Sequence, residues 1–414
     1  MNTQNRRVVV TGLGAITPVG NTVAETWAAL KSGQNGIAPI TLFDTTEYKA
    51  KLGAEVKEFD PLRYMDKSET LRTDRYTQFA LVAADEAMND SGIAGKVAPE
   101  RMGVYLGVGI GGIHTFETEH LKLLERGSRK VSSLFVPMMI PNMAAGMIAV
   151  KYDCRGSVMP AVTACASGSN AIGEAMRLIR HGYADAVITG GAEAAICPMA
   201  VAGFVNMKAL STSEDPNAAS LPFDSRRAGF VIGEGSVCLV LEEYEHAVAR
   251  GARIYGEVCG YGSTCDASHM TAPHPEARGS SRAMMDALAE AGYTEADRVY
   301  INAHGTGTPM NDKVEALAIQ TALGEAAASA FVSSTKSMTG HMLGAAGAVE
   351  ALACLLALKE GVIPPTINLD QPDPVCAVGN MPAEAVEQEI DLALSNSLGF
   401  GGHNACLAFR KVTV

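Results

Sequence analysis

The chain has 414 residues, 47% of them hydrophobic and 19% charged, which excludes a disordered polypeptide and is enough for two domains or one large duplicated one. Its formal net charge of -12 excludes a general nucleic-acid surface and leaves room for a local basic patch that meets an acidic partner. Nine scattered cysteines with no CxxC pair give no support to a zinc framework and point to a reducing compartment.

In chain order, the basic stretch Met1 to Arg7 precedes an apolar run too short for a signal peptide, so Arg7 to Val10 is predicted as a first strand. A helix over Tyr76 to Ser91 and a strand over Gly103 to Val108 follow. Gly107-Val108-Gly109-Ile110-Gly111-Gly112 satisfies GxGxxG, but the Rossmann pattern needs a second strand about 20 residues on, where Leu121 to Arg126 reads as helix. These glycines are therefore expected to serve close backbone packing, with Ile110 facing a pocket. Val131 to Val150 carries no charge, yet Pro137, Pro141, Ser132, Ser133 and Asn142 speak against a membrane span and for a subunit interface or a pocket wall. The chain is accordingly expected to be soluble and cytoplasmic, without membrane insertion.

Val158 to Val162 is predicted as a buried strand, followed by a helix in which Ala171, Ile172, Ala175, Leu178 and Ile179 recur at helical spacing until Gly182. Further strands are predicted over Ala186 to Thr189, Ser236 to Leu241, Arg253 to Val258, Val299 to Asn302, Ala330 to Ser333 and Ala405 to Phe409. Helices are predicted over Ser281 to Ala291, Lys313 to Leu323 and Ala345 to Lys359. This alternation predicts α/β layering with buried, mostly parallel strands. A repeat is visible as well: Gly233 to Leu241 aligns without gaps with Gly401 to Phe409, each a glycine-rich turn feeding a strand. It divides the chain into 1-252 and 253-414.

One cysteine stands apart. Cys165, in Thr163-Ala164-Cys165-Ala166-Ser167-Gly168, sits where an apolar strand gives way to a helix of small residues. Free backbone N–H groups and the helix dipole favour a thiolate there and can hold an oxyanion. Any single cysteine is more often core, so the assignment depends on partners. Two histidines in glycine-rich surroundings after strands supply them: His304 in Asn302-Ala303-His304-Gly305-Thr306-Gly307-Thr308, and His341 in Lys336-Ser337-Met338-Thr339-Gly340-His341. Either one alone is as well explained by a structural hydrogen bond. Together with Cys165 they point to a catalytic Cys-His-His set.

These segments, with Asn396-Ser397-Leu398-Gly399-Phe400-Gly401-Gly402-His403-Asn404, resemble the β-ketoacyl-[acyl-carrier-protein] synthase family over nearly the whole chain, the synthase II branch more than synthase I. The resemblance implies a thiolase-like, five-layered αβαβα fold of two duplicated halves: an N-terminal ketoacyl synthase half with the nucleophile and a C-terminal half with both histidines. It implies a homodimer that elongates fatty acids by two carbons. Cys165 accepts an acyl group from acyl carrier protein, and decarboxylation of the malonyl carrier generates the attacking carbanion. His304 and His341 would hold the developing enolate oxygen, the N–H groups of Cys165 and Phe400 an oxyanion hole, and Phe400 an acyl-chain gate. Lys336 and Glu315 correspond to a charged pair that orients His341 or water.

Ile110, and Phe135 from the other subunit, correspond to the acyl-pocket floor, while Thr271, Thr306 and Thr308 correspond to pantetheine contacts. Lys67, Arg72 and Lys208 are candidate carrier-docking residues. No cofactor is required on this reading, and Asn302, Ala303, Glu350, Ser395 and Asn396 correspond to a structural monovalent cation site. The alternatives are a synthase I-type or polyketide-type ketosynthase sharing the same residues, and a non-catalytic chain-length-factor subunit, which typically lacks the nucleophile. A thiolase would need a second cysteine near the C-terminus, where this chain has His403.

Overall fold

A computed structural model describes residues 6–412. Its main sheet has ten strands, labelled here in chain order: β1 Val8–Ile16, β2 Met102–Gly107, β3 Val158–Ala161, β4 Ala186–Glu193, β5 Gly235–Glu243, β6 Gly256–Cys265, β7 Val299–Asn302, β8 Phe331–Ser333, β9 Leu392–Gly399 and β10 His403–Arg410. The spatial order is β8-β7-β9-β10-β6-β1-β5-β4-β2-β3. Counted outward from the β1/β6 junction, each half runs first, fifth, fourth, second, third strand, so the halves are a structural duplication. At the centre of the sheet β1 and β6 join them through two residue pairs, Val9 with Glu257 and Val10 with Gly256.

The helices that frame this sheet are α1 Arg75–Ser91, α2 Met143–Tyr152, α3 Ser167–Arg180, α4 Arg278–Glu290, α5 Pro309–Leu323 and α6 Ala346–Glu360. α1 packs on β1, β4 and β5, and α2 on α1, β2 and β3; α4 packs on β6, β10 and α5. α3 and α6 touch each other and strands of both halves, which makes them the middle layer of an αβαβα stack. α6 shows why. Every residue from Ala346 to Leu358 is buried, and a helix apolar on all sides belongs inside a core. Small residues let the two central helices approach, since a Cβ at Gly347 would lie 2.2 Å from Ser169 Oγ.

The sheet is mixed, which corrects the expectation of mostly parallel strands. β4 pairs with β5 and β9 with β10 antiparallel, as do β1 with β5 and β10 with β6. A connection as short as Phe400-Gly401-Gly402 between β9 and β10 permits only an antiparallel pair. β9 itself was not predicted. β3 is the other correction: it is an edge strand paired only with β2, and Val158, Met159 and the following Val162 are exposed. No helix among the described residues is long and apolar enough to cross a membrane.

Candidate active site

After β3 the chain turns sharply. Ala164 has φ 52°, a left-handed conformation that costs a non-glycine residue about 1–2 kcal/mol. Local hydrogen bonds hold the turn: Thr163 N–H donates to Ser167 Oγ (2.9 Å), Ser167 Oγ–H to Ala164 O (2.6 Å), and Asn170 Nδ2 to Thr163 Oγ1 (2.7 Å). The short turn Ala164–Ala166 then runs into α3, with Cys165 only 8% exposed. Gly399 at the end of β9 closes on it, since a Cβ there would lie 2.7 Å from Thr163 O and 3.3 Å from Cys165 N. The helix start and the burial of Cys165 pull its thiol in opposite directions. Burial pushes the Cys165 thiol up to about 12, against the downward pull of Lys336 and a Phe400 N–H.

The second half delivers both histidines. His304 leaves the end of β7, and Glu315 on α5 fixes that bend by accepting N–H bonds from His304 and Gly305, both 2.7 Å. His341 follows the short helix Lys336–Thr339 and Gly340, whose φ of 62° suits glycine. The rings meet edge to face with centroids 5.2 Å apart, and Phe230 packs against His341 at 5.1 Å. Cys165 Sγ and a ring nitrogen of each histidine all lie within 4.8 Å of one another. Burial, then the neighbouring Lys336, hold both imidazoles well below the usual histidine range, so they are neutral.

Lys336 is paired differently from expectation. Its ammonium forms its ion pair with Glu350 on α6, while Glu315 is occupied by backbone N–H groups. Lys336 Nζ also lies 3.4 Å from His304 Nδ1, whereas neither ring nitrogen of His341 has a partner. The lysine thus lies against His304, where His341 or water had been expected. A donor on Nδ1 places the remaining proton of neutral His304 on Nε2.

A cavity of about 450 Å³ opens over Cys165, His304 and His341, lined also by Ile110, Phe400, Thr271, Thr306 and Thr308. Lys208 stands exposed on its lining, while Lys67 and Arg72 are exposed and do not line it. Phe135 does not line this chain's cavity and packs 6.3 Å from Phe116. The beta-ketoacyl synthase N-terminal domain family matches residues 5–247 and the C-terminal domain family residues 255–370. This chain belongs to the beta-ketoacyl synthase family.

Relatives and solved structures agree. Two proteins named 3-oxoacyl-[acyl-carrier-protein] synthase 2, from Synechocystis sp. (strain ATCC 27184 / PCC 6803 / Kazusa) and Staphylococcus aureus (strain COL), are 50% identical over 412 and 409 residues, 99% of each chain. A beta-ketoacyl synthase from Burkholderia phymatum STM815 superposes with TM-score 0.91 at 37% identity, over 99% of this chain and 100% of that one. A type II polyketide ketosynthase, solved in complex with its acyl-carrier protein and bound to the hexaketide, superposes with TM-score 0.92 at 36% identity over the same shares.

In this ketoacyl synthase, three of the atoms assigned to a cation stand out: Glu350 Oε2, Ser395 Oγ and Asn396 Oδ1 are buried without hydrogen-bond partners. Such oxygen atoms suit a hard monovalent cation. The Asn302 side chain is engaged elsewhere, with Tyr300 and Thr335. Sequence reasoning missed Leu343, Phe204 and Phe230 on the cavity wall, and Glu193 behind it. Only Glu193 left a signal, a lone carboxylate closing the strand-like run that begins at Ala186.

Proposed function

We propose that the chain is a 3-oxoacyl-[acyl-carrier-protein] synthase of type II, an acyltransferase that elongates fatty acids by decarboxylative Claisen condensation. The convergence of Cys165, His304 and His341 on one cavity carries this reading. In the first half-reaction Cys165 Sγ loses its proton to a neutral imidazole, for which the unpartnered His341 is placed. The sulfur attacks the acyl thioester of the carrier. The N–H groups of Cys165 and Phe400 face the oxyanion, and the carrier's pantetheine thiol leaves with the proton.

In the second half-reaction a malonyl carrier occupies the cavity, with Thr271, Thr306 and Thr308 along its pantetheine arm. Breaking the carboxylate C–C bond releases carbon dioxide and leaves the electron pair as an enolate. His304 Nε2–H donates to its oxygen, and His341 donates to it in the tautomer whose N–H faces the cavity, the opposite of the one that accepts the Cys165 proton. The enolate carbon attacks the Cys165 thioester, the departing thiolate takes a proton from solvent to restore the thiol, and a 3-oxoacyl carrier two carbons longer results. Lys336 acts behind His304, fixing its tautomer; Glu315 shapes the His304–Gly305 bend, and Phe400 gates the acyl chain.

The carrier partner is an acyl carrier protein in its acyl and malonyl forms, with Lys208, and Lys67 and Arg72 further out, as docking cations on an otherwise acidic protein. A homodimer is supported by the bare β3 edge and by the exposed apolar side chains of Phe116, Leu121, Leu124 and Val136, and would bring Phe135 of a second copy to the acyl pocket. Glu350, Ser395 and Asn396 would hold a structural monovalent cation, with no other cofactor needed. The division at 252/253 and a cytoplasmic location complete the reading; the duplicated strand order supports the former.

A polyketide-type activity is the weaker reading, because the polyketide ketosynthase shares 36% identity where the synthase 2 proteins share 50%. Reconstitution tests the choice. Purified protein with a saturated acyl carrier and malonyl carrier is expected to yield the 3-oxoacyl product and one carbon dioxide per turnover; failure with every fatty acyl carrier contradicts it. Sedimentation tests the dimer, with a monomer at micromolar concentration as the contrary result.

A further inference from the structure

Glu193, the last residue of β4, is fully buried and has no ion-pair partner among the described residues. Its carboxylate instead accepts N–H bonds from Gly109 (2.9 Å), Ile110 (3.2 Å to each oxygen), Gly111 (3.3 Å) and Gly344 (3.1 Å). The donors come from opposite halves. Gly109 to Gly111 form the loop after β2, and Gly344 lies in the turn that leads from His341 into α6. Both loops close directly on the carboxylate: a Cβ at Gly109 would lie 2.4 Å from Glu193 Oε2, and one at Gly344 2.9 Å from it.

The duplication explains what this carboxylate replaces. Strand pairing sets Glu193 opposite Gly235 and Gly399 opposite His403, so Glu193 and Gly399 are equivalent strand ends. Gly344 matches Cys165, because each is the middle residue of a short turn entering a central helix. Beside Cys165 the second half ends in Gly399 and leaves room for a substrate oxyanion. Beside Gly344 the first half fills the matching space with a carboxyl group of its own. Burial pushes the Glu193 carboxyl up to about 7 against the pull of these N–H bonds, and each of its hydrogen-bond partners among the described residues is a donor, which two carboxylate oxygens satisfy and the nitrogen of an amide does not.

We propose that Glu193 is a positioning residue for acyl-chain selection, fixing Ile110 against the acyl cavity and tying it to the Leu343–Gly344 turn beside His341. This rests on the reading of the cavity as an acyl pocket. Ile110 lines that cavity, and the next residues of its loop rest on the helix Phe135–Met139, with Gly112 N–H donating to Met139 O at 3.0 Å. Releasing the loop therefore changes the depth of the pocket more than the chemistry at Cys165.

Glu193→Gln and Glu193→Asp test it. The first retains size and turns an amide onto donors; the second keeps the charge and is too short to serve both loops. Each protein is offered an equimolar mixture of short, medium and long saturated acyl carriers, and the distribution of acyl groups on Cys165 is read by intact mass. Because the distribution is a ratio within one preparation, it is insensitive to the fraction folded. The expected result is a shift of roughly tenfold in the long-to-short ratio for Glu193→Gln, a size typical of a changed hydrophobic pocket, with a smaller shift for Glu193→Asp. If Glu193→Gln does not fold, a shift in Glu193→Asp supports the proposal. A folded variant whose distribution superposes on wild type, or that loses all chains equally, overturns it. A wild type that accepts no acyl group overturns the pocket reading as well, which separates the two failures.

Discussion

In the first half a left-handed residue and a short turn bring Cys165 to the cavity; in the second, a left-handed residue and a short turn bring Gly344 to the Glu193 carboxylate. The strain is duplicated too, φ 52° at Ala164 and 47° at Leu343. The duplicated scaffold thus supplies two helix starts with free N–H groups, and side chains decide their use: one faces substrate, the other an internal carboxylate. The sheet edges diverge in the same way. Outer strand β8 is capped by Asn380, which accepts from Val332 N–H and donates to Ala330 O, both at 2.8 Å, whereas β3 is left bare. The duplicated fold thus places Cys165 and the bare sheet edge in one half, and His304 and His341 in the other.

Breaking the second half's charge pair has the largest expected effect. Lys336→Met leaves Glu350 buried without its counter-ion and should cost about 3–5 kcal/mol in urea unfolding, whereas Lys336→Met with Glu350→Leu should recover most of that loss. Next come the donors. His304→Ala and His341→Ala should each lower malonyl decarboxylation by about 100-fold or more, measured as carbon dioxide release, with folding unchanged by circular dichroism.

A pH series probes the first half. With its thiol held near 12, Cys165 should alkylate with iodoacetamide at a rate rising about tenfold per pH unit upward from neutral; a flat profile would mean a preformed thiolate. The sign for stability is opposite. Burial raises the folded thiol above its unfolded value, so its contribution is complete below the unfolded pKa and lost as pH rises past it. The smallest effect belongs to the elbow. Ala164→Gly relieves left-handed strain and adds unfolded-state entropy, so the two offset within about 1 kcal/mol by thermal unfolding.

Much of this was legible because local pattern and burial agree. Val299 to Asn302 is a strand with the predicted bounds, and the nine-residue alignment joins the entries to β5 and β10. β9 was hidden because Ser395-Asn396-Ser397 reads as loop, yet all three are buried in the final fold. β6 was predicted too early, since Gly260 and Gly262 break its pattern. Those glycines exist for α4: a Cβ at Gly262 would lie 1.8 Å from Ala283 O. The partner of Lys336 was illegible for another reason. Glu315 and Glu350 are both fully buried carboxylates on helices, and only tertiary packing selects between them.

The central claim is that Cys165 carries the acyl chain. Intact mass spectrometry after incubation with an acyl carrier tests it most directly, followed by peptide mapping and repeated with Cys165→Ala. The account predicts a mass gain of one acyl group on the peptide containing Cys165, absent in the variant. An unmodified wild type, or a modification that survives Cys165→Ala, would contradict it.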